Sequence, residues 1–238
     1  MTIVSHEHEF IFLKTAKTAG TSIAIALSQY CGPNDILARV STPDEAIRKQ
    51  LGYSPAQNYA IPLSHYAPKD WARLLLTGRR SQTQYFHPHM SATEIREKLG
   101  SKCWNRYYKF CFDRNPWDKA ISLYHRYWRR PRDVPQPSLH DFYSNFENAR
   151  KGLSNYWIYS IDGNVVVDYV ARYEDLQGEL TRLGERLGIP GKIDISKVKA
   201  KSSSRTDKRQ YREALEPSTR DLIATICHKE IAFLGYEF

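Results

Sequence analysis

Several familiar features are missing from this sequence. Its four cysteines are Cys31, Cys103, Cys111 and Cys227, and no two have C-x-x-C spacing. A zinc or redox motif is therefore unsupported. Cys111 and Cys227 fall within apolar patterns, where a thiol acts as a small buried hydrophobe, and unpaired thiols suit a reducing compartment. No apolar run approaches the ~18 residues of a membrane span. Residues 1–9, Met-Thr-Ile-Val-Ser-His-Glu-His-Glu, hold no basic segment leading into an apolar one. Neither a signal peptide nor a span is expected. Internal repeats are absent. Acidic residues are comparatively scarce: 35 Lys and Arg against 26 Asp and Glu leave a net charge of +9. That balance points to anionic partners without choosing among nucleotides, nucleic acid, acidic glycans and anionic membrane. With 238 residues, 41% of them hydrophobic, the chain can bury the core of one domain, residues 1–238.

What is present centres on residues 10–22. Phe10-Ile11-Phe12-Leu13 reads as a buried strand. Lys14, Lys17 and Gly20 lie in a loop, and Thr21 and Ser22 open a helix with Ile23, Leu27 and Tyr30 on one face. A strand, a small-residue loop and a helix N-terminus make an anion site, because free N–H groups and the positive end of the helix dipole converge there. Lys17 adds a full charge, and Thr18, Thr21 and Ser22 add hydroxyls. The loop is not a Walker A motif, since the lysine precedes the glycine.

A second junction of the same kind follows residues 107–112, read as an aromatic strand broken by Lys109. Asn115 is a good N-cap, Pro116 fits the first helical position and Asp118 suits the first turn. Arg114 then stands at a strand C-terminus, where open α/β sheets bind ligands. Between the two junctions, Ser91-Ala92-Thr93-Glu94 is a capping box, so His87 and His89 sit just before a helix N-terminus. The dipole there disfavours imidazolium, and a neutral imidazole can serve as a general base. His65, in a polar loop at 53–67, is a third candidate.

The two junctions carry a family resemblance. Ala16-Lys17-Thr18-Ala19-Gly20-Thr21-Ser22 resembles the P-K-T-[AG]-G-T-S loop of carbohydrate-type sulfotransferases, with Ala16 in place of the usual proline. Phe112-Asp113-Arg114-Asn115-Pro116-Trp117-Asp118, with Ser122-Leu123-Tyr124, is similar to that family's F-x-R-N-P-[WY]-[DE]-x-x-x-S-x-Y motif. Arg172-Tyr173-Glu174-Asp175-Leu176 and the ending Phe233-Leu234-Gly235-Tyr236-Glu237-Phe238 resemble two further family signatures. The resemblance implies an α/β fold, a P-loop-like central parallel sheet flanked by helices, in one domain. It implies transfer of a sulfuryl group from 3′-phosphoadenosine 5′-phosphosulfate (PAPS) to a hydroxyl, releasing 3′,5′-adenosine bisphosphate without a metal. Lys14, Lys17, Thr18, Ala19, Gly20, Thr21 and Ser22 would hold the 5′-phosphosulfate, and Arg114 and Ser122 the 3′-phosphate. Ser204 and Arg205, in the basic stretch 196–212, would close over the cofactor. Lys17 would stabilise the leaving charge, and His89 or His87 would take the acceptor proton. The acceptor would be a carbohydrate or glycolipid, the location cytoplasmic, with no nucleic-acid partner.

Arg172 and Glu174 read as mainly structural. Arg126, Arg129, Arg130 and Arg132 form a basic helix end or a rim for an anionic acceptor. Two other readings stay open. One is a nucleotide-dependent kinase with a non-standard P-loop and Asp113 holding Mg²⁺. The other is a non-catalytic basic binder, for example of RNA. Further helices are expected from Thr42 to about Gly52, from Pro68 to Gly78, from Ser138, from Leu176 to Leu187, and from Ser218 to Leu234. Residues 164–170 read as a strand.

Overall fold

The computed structural model describes residues 2–128, 135–198 and 210–238. Five strands form the central sheet: β1 (Ile3–Ser5), β2 (Phe10–Leu13), β3 (Ile36–Leu37), β4 (Tyr108–Asp113) and β7 (Tyr169–Arg172). Their order is β3-β1-β2-β4-β7. β2, β4 and β7 run parallel, as three strand–helix units require. β1 runs antiparallel to both neighbours, so the sheet is mixed rather than parallel. The cause is a tight turn over residues 6–9 that Asp35 holds together. Its buried carboxylate accepts from the amides of His6, Glu7 and Gly32 and from the Ser5 hydroxyl.

Helices flank this sheet. α1 (Gly20–Leu27) follows β2, and α2 (Thr42–Gln50) and α3 (Pro68–Thr77) come next. α4 (Ala92–Leu99) and α5 (Ser101–Arg106) precede β4, and α6 (Pro116–Trp128) follows it. The Ser91 capping box forms as its sequence dictates, with Ser91 Oγ accepting from the Glu94 amide at 3.2 Å and Glu94 accepting from the Ser91 amide at 2.8 Å. Short helices cover Leu139–Asn145, Glu147–Leu153 and Tyr156–Tyr159. A small hairpin of β5 (Ser160–Ile161) and β6 (Asn164–Val165) precedes β7.

Two segments depart from the sequence reading. The apolar stretch at 164–170 is split by a bend at residues 167–168, where the Asp168 amide donates to the Lys109 carbonyl of β4 at 2.8 Å. The Asp168 carboxylate accepts from the Lys109 amide at 2.7 Å and pairs with the Lys109 ammonium at 2.8 Å. The last helix is also two, Pro217–Ile226 and His228–Leu234, broken at Cys227 where φ is −106° and ψ 24°. That break leaves Phe233 48% exposed and turns Ile223 and Cys227 inward instead.

The main core lies along the sheet, where Phe10, Phe12, Phe110 and Phe112 stack across β2 and β4. A second buried cluster, which the sequence reading does not anticipate, gathers Trp117, Ile121, Phe142, Tyr143 and Ile223 around α6. Leu234 packs against both. All four cysteines are free thiols, three of them buried.

Candidate functional site

The loop from β2 to α1 is held from below by the neighbouring strand. The Thr15 hydroxyl donates to the Phe112 carbonyl of β4, so Thr18 Oγ1 must be the donor in its 2.8 Å bond to Thr15 Oγ1. Thr18 is thus buried with its hydroxyl turned inward. Asn155, fully buried, brackets Ala16. Its Oδ1 accepts from the Ala16 amide at 2.9 Å, and its Nδ2 donates to the Ala16 carbonyl at 3.2 Å. Pinned at both places, the chain adopts positive φ at Lys17 (62°) and at Ala19 (56°). An L-residue in the left-handed region is strained by about 1–2 kcal/mol, and such strain gathers at functional sites.

Ala19 is the N-cap of α1 and offers no side-chain oxygen. The first intrahelical bond is Ile23 N–H to the Ala19 carbonyl, so the amides of Gly20, Thr21 and Ser22 lack a capping side chain at the positive end of a buried helix. Lys14 lies across this end, its Nζ 2.9 Å from Thr21 Oγ1. Gly20 makes room for it: a Cβ there would stand 2.8 Å from Lys14 Cγ. The Lys14 carbonyl in turn accepts from His89 Nδ1 at 3.0 Å. A carbonyl only accepts, so Nδ1 carries the proton and Nε2 the lone pair. Desolvation, then the Lys14 charge, lower the His89 pKa to about 3. The neutral imidazole expected from the helix dipole therefore occurs, but burial and Lys14 dominate. His87 instead faces Glu94 at 3.5 Å and its own neighbour Pro88. His65 bonds Ser64 and Tyr85 on the exposed loop. Of the three histidines, His89 is the one bonded to the lysine loop.

Arg114 closes the other side. Its Nε (2.8 Å) and Nη2 (2.5 Å) grip Asp118 Oδ2, its Nη1 donates to the Lys17 carbonyl at 3.2 Å, and its guanidinium stacks on the Tyr173 ring at 4.3 Å. These bonds use three of its five N–H groups. Ser122 is buried one turn beyond Asp118 on α6, and no hydrogen bond among the described residues joins it to Arg114. The N-cap at Asn115 forms, its Oδ1 accepting from the amides of Trp117 and Asp118. Ser204, Arg205, Arg129, Arg130 and Arg132 lie outside the described residues.

Asp113 is fully buried, and both of its oxygens are bonded. Oδ1 accepts from Lys119 Nζ at 3.0 Å, Asn155 Nδ2 at 2.8 Å and the Arg114 amide at 2.8 Å, and Oδ2 accepts from the Tyr159 hydroxyl at 3.0 Å. Burial would lower the Lys119 pKa, but the Asp113 charge outweighs it and holds the ammonium above its ordinary value. The two remaining signatures knot together behind Arg114. Glu174 accepts from the Asn115 amide at 2.7 Å and from the Tyr236 hydroxyl at 3.2 Å. Arg172 lies over the Tyr236 ring at 5.2 Å and donates to the Leu234 carbonyl. Phe238 meets Trp117 and Tyr211 edge-on. Sequence reasoning missed Lys119, Asn155 and Tyr173, which are polar or aromatic residues without a recurrent spacing. Tyr173 could have been found as part of the Arg172 signature.

Comparison with known proteins gives one close match. An uncharacterized protein of Archaeoglobus fulgidus is 31% identical over an alignment of 114 residues that covers 44% of this chain and 88% of the archaeal protein. The chain belongs to the same family as that archaeal protein. No protein-family model matches the sequence, and no solved structure matches it.

Proposed function

We propose that this family member is a PAPS-dependent sulfotransferase with the sulfotransferase variant of the P-loop-like fold. The observation that carries the reading is the Arg114–Lys17 hydrogen bond across 97 residues of sequence. It makes one site of two anion-binding junctions, as a nucleotide phosphorylated at both ends requires. The residues present suit such a ligand. A strained loop and three uncapped amides offer donors to a 5′-phosphosulfate, and a stacked guanidinium with N–H groups to spare offers a fork to a 3′-phosphate. The bound nucleotide supplies a sulfuryl group on a good leaving group.

The chain's part is positioning and charge. The loop amides, Lys14 and Lys17 stabilise negative charge building on the bridging oxygen as its bond to sulfur breaks. The acceptor oxygen forms the new bond to sulfur, and its proton goes to Nε2 of His89. A positioned base is worth ~10²–10⁴-fold. A pKa near 3, set first by burial and then by Lys14, makes a weak base, and an anion beside Lys14 offsets the second of these causes. Asn155 and Thr15 hold the loop in register, and Tyr173 with Asp118 fixes the Arg114 fork. A carbohydrate or glycolipid hydroxyl is the acceptor.

Against the kinase reading, Asp113 is wholly buried and both of its oxygens are already bonded inside the core, one of them to a lysine, which disfavours Mg²⁺ there. The two readings part in one calorimetric comparison. The sulfotransferase binds 3′,5′-adenosine bisphosphate in EDTA and ATP–Mg²⁺ weakly. Tight ATP–Mg²⁺ binding with no bisphosphate binding would overturn the proposal.

A further inference from the structure

α3, like α2, makes no extensive contact with another element among the described residues. Its N-terminus is capped by buried Asp70, which accepts from the Ala67 amide at 3.1 Å, and Trp71 meets the Tyr66 ring edge-on at 5.4 Å. Its apolar residues are exposed: Leu75 is 82% and Leu76 85% accessible, and Trp71, beside Tyr66, 44%. On a helical projection Trp71, Ala72, Leu75 and Leu76 span an arc of about 140°. Lys69 and Arg73 follow at its edge, both exposed. Arg79 and Arg80, also exposed, come just beyond the helix.

Charge selects the occupant of this face. Residues 53–90 contain four Lys and Arg, namely Lys69, Arg73, Arg79 and Arg80, against one acid, Asp70. That acid is buried and committed to the helix cap. An apolar arc with a tryptophan, edged by unopposed cations, fits the boundary between lipid headgroups and acyl chains. Ten residues make a helix ~15 Å long. It is too short to cross a bilayer, and no described helix is long and apolar enough to do so. We infer that α3 docks the protein on an anionic membrane surface, lying in the plane with Trp71, Leu75 and Leu76 inserted. This docking stands independently of the chemistry proposed above.

Vesicle sedimentation tests it, using phosphatidylcholine vesicles with and without phosphatidylglycerol. The wild type should sediment with the anionic vesicles and dissociate as salt rises. The double variant Leu75→Glu/Leu76→Glu should lose at least about tenfold in partitioning, and Lys69→Glu/Arg73→Glu about as much. Both pairs are solvent-exposed, so thermal unfolding should stay unchanged and serves as the folding control. Failure of the folded wild type to bind anionic vesicles would overturn the inference, as would unaltered binding by the leucine variant. Concentration-dependent dimerisation abolished by Leu75→Glu/Leu76→Glu would also overturn it, by giving the face to a second copy of the chain.

Discussion

The Asp113–Lys119 pair supports the candidate site from beneath, and its removal should be expensive. Both side chains are wholly inaccessible, 3.0 Å apart. In Lys119→Met the methionine fills most of the space, but the Asp113 carboxylate stays in the core without its counter-charge. Breaking a buried pair in this way costs about 3–5 kcal/mol. The Asn155, Tyr159 and Arg114 donors remain in place, which places the expected loss near the lower end, about 3 kcal/mol. For a domain of this size that is a drop of roughly 6–12 °C in Tm. Urea unfolding should show a lower midpoint with an unchanged slope. Adding Asp113→Asn to Lys119→Met should recover most of the loss, giving a coupling of about 2 kcal/mol or more. A Lys119→Met loss below about 1 kcal/mol at pH 7 would refute the assignment of Asp113 as a buried structural anion. It would return Asp113 to the list of groups available for Mg²⁺.

Two further outcomes follow from the loop. Ala19→Gly relieves a left-handed backbone and should stabilise the fold by about 0.5–1 kcal/mol in denaturant titrations; a destabilised variant would show that the loop is unstrained. His89, with a pKa of about 3 against 6.5 unfolded, contributes stability that is fully present above pH ~6.5 and is lost as pH falls toward 3. Between pH 7 and 5 the protein should lose about 2 kcal/mol from this group, and His89→Asn should flatten that limb. Bisphosphate binding should raise the His89 pKa, seen as upfield-to-downfield movement of its ring proton resonances at lower acidity than in the free protein; a pKa unmoved by ligand would separate His89 from the loop charge.

Much of the site was legible in the sequence because local rules govern it. The β2–loop–α1 unit, the Ser91 capping box and the Asn115 cap are each written within a few residues, and each forms. The parallel β2, β4 and β7 follow from strands alternating with helices. What was not legible is long-range. β1 pairs antiparallel because Asp35, some thirty residues away, gathers a turn. The strand at 164–170 divides between two partners, Val166 bonding Tyr159 and Asp168 bonding Lys109 on β4. Thr18 looked like a ligand donor in a motif of hydroxyls, yet Thr15 claims its proton. Asn155 has no motif at all, but the buried amide of Ala16 needed a partner and the fold supplied one from 139 residues away.

The central claim, a bisphosphorylated nucleotide held between the Lys17 loop and Arg114, is tested most directly by a binding cycle. Calorimetry in EDTA would compare 3′,5′-adenosine bisphosphate with 5′-AMP, in the wild type and in Arg114→Ala. The account predicts that the 3′-phosphate strengthens wild-type binding, that Arg114→Ala weakens the bisphosphate by about 10–100-fold, and that it leaves 5′-AMP nearly unchanged. Equal losses for both ligands, or no gain from the 3′-phosphate in the wild type, would contradict it.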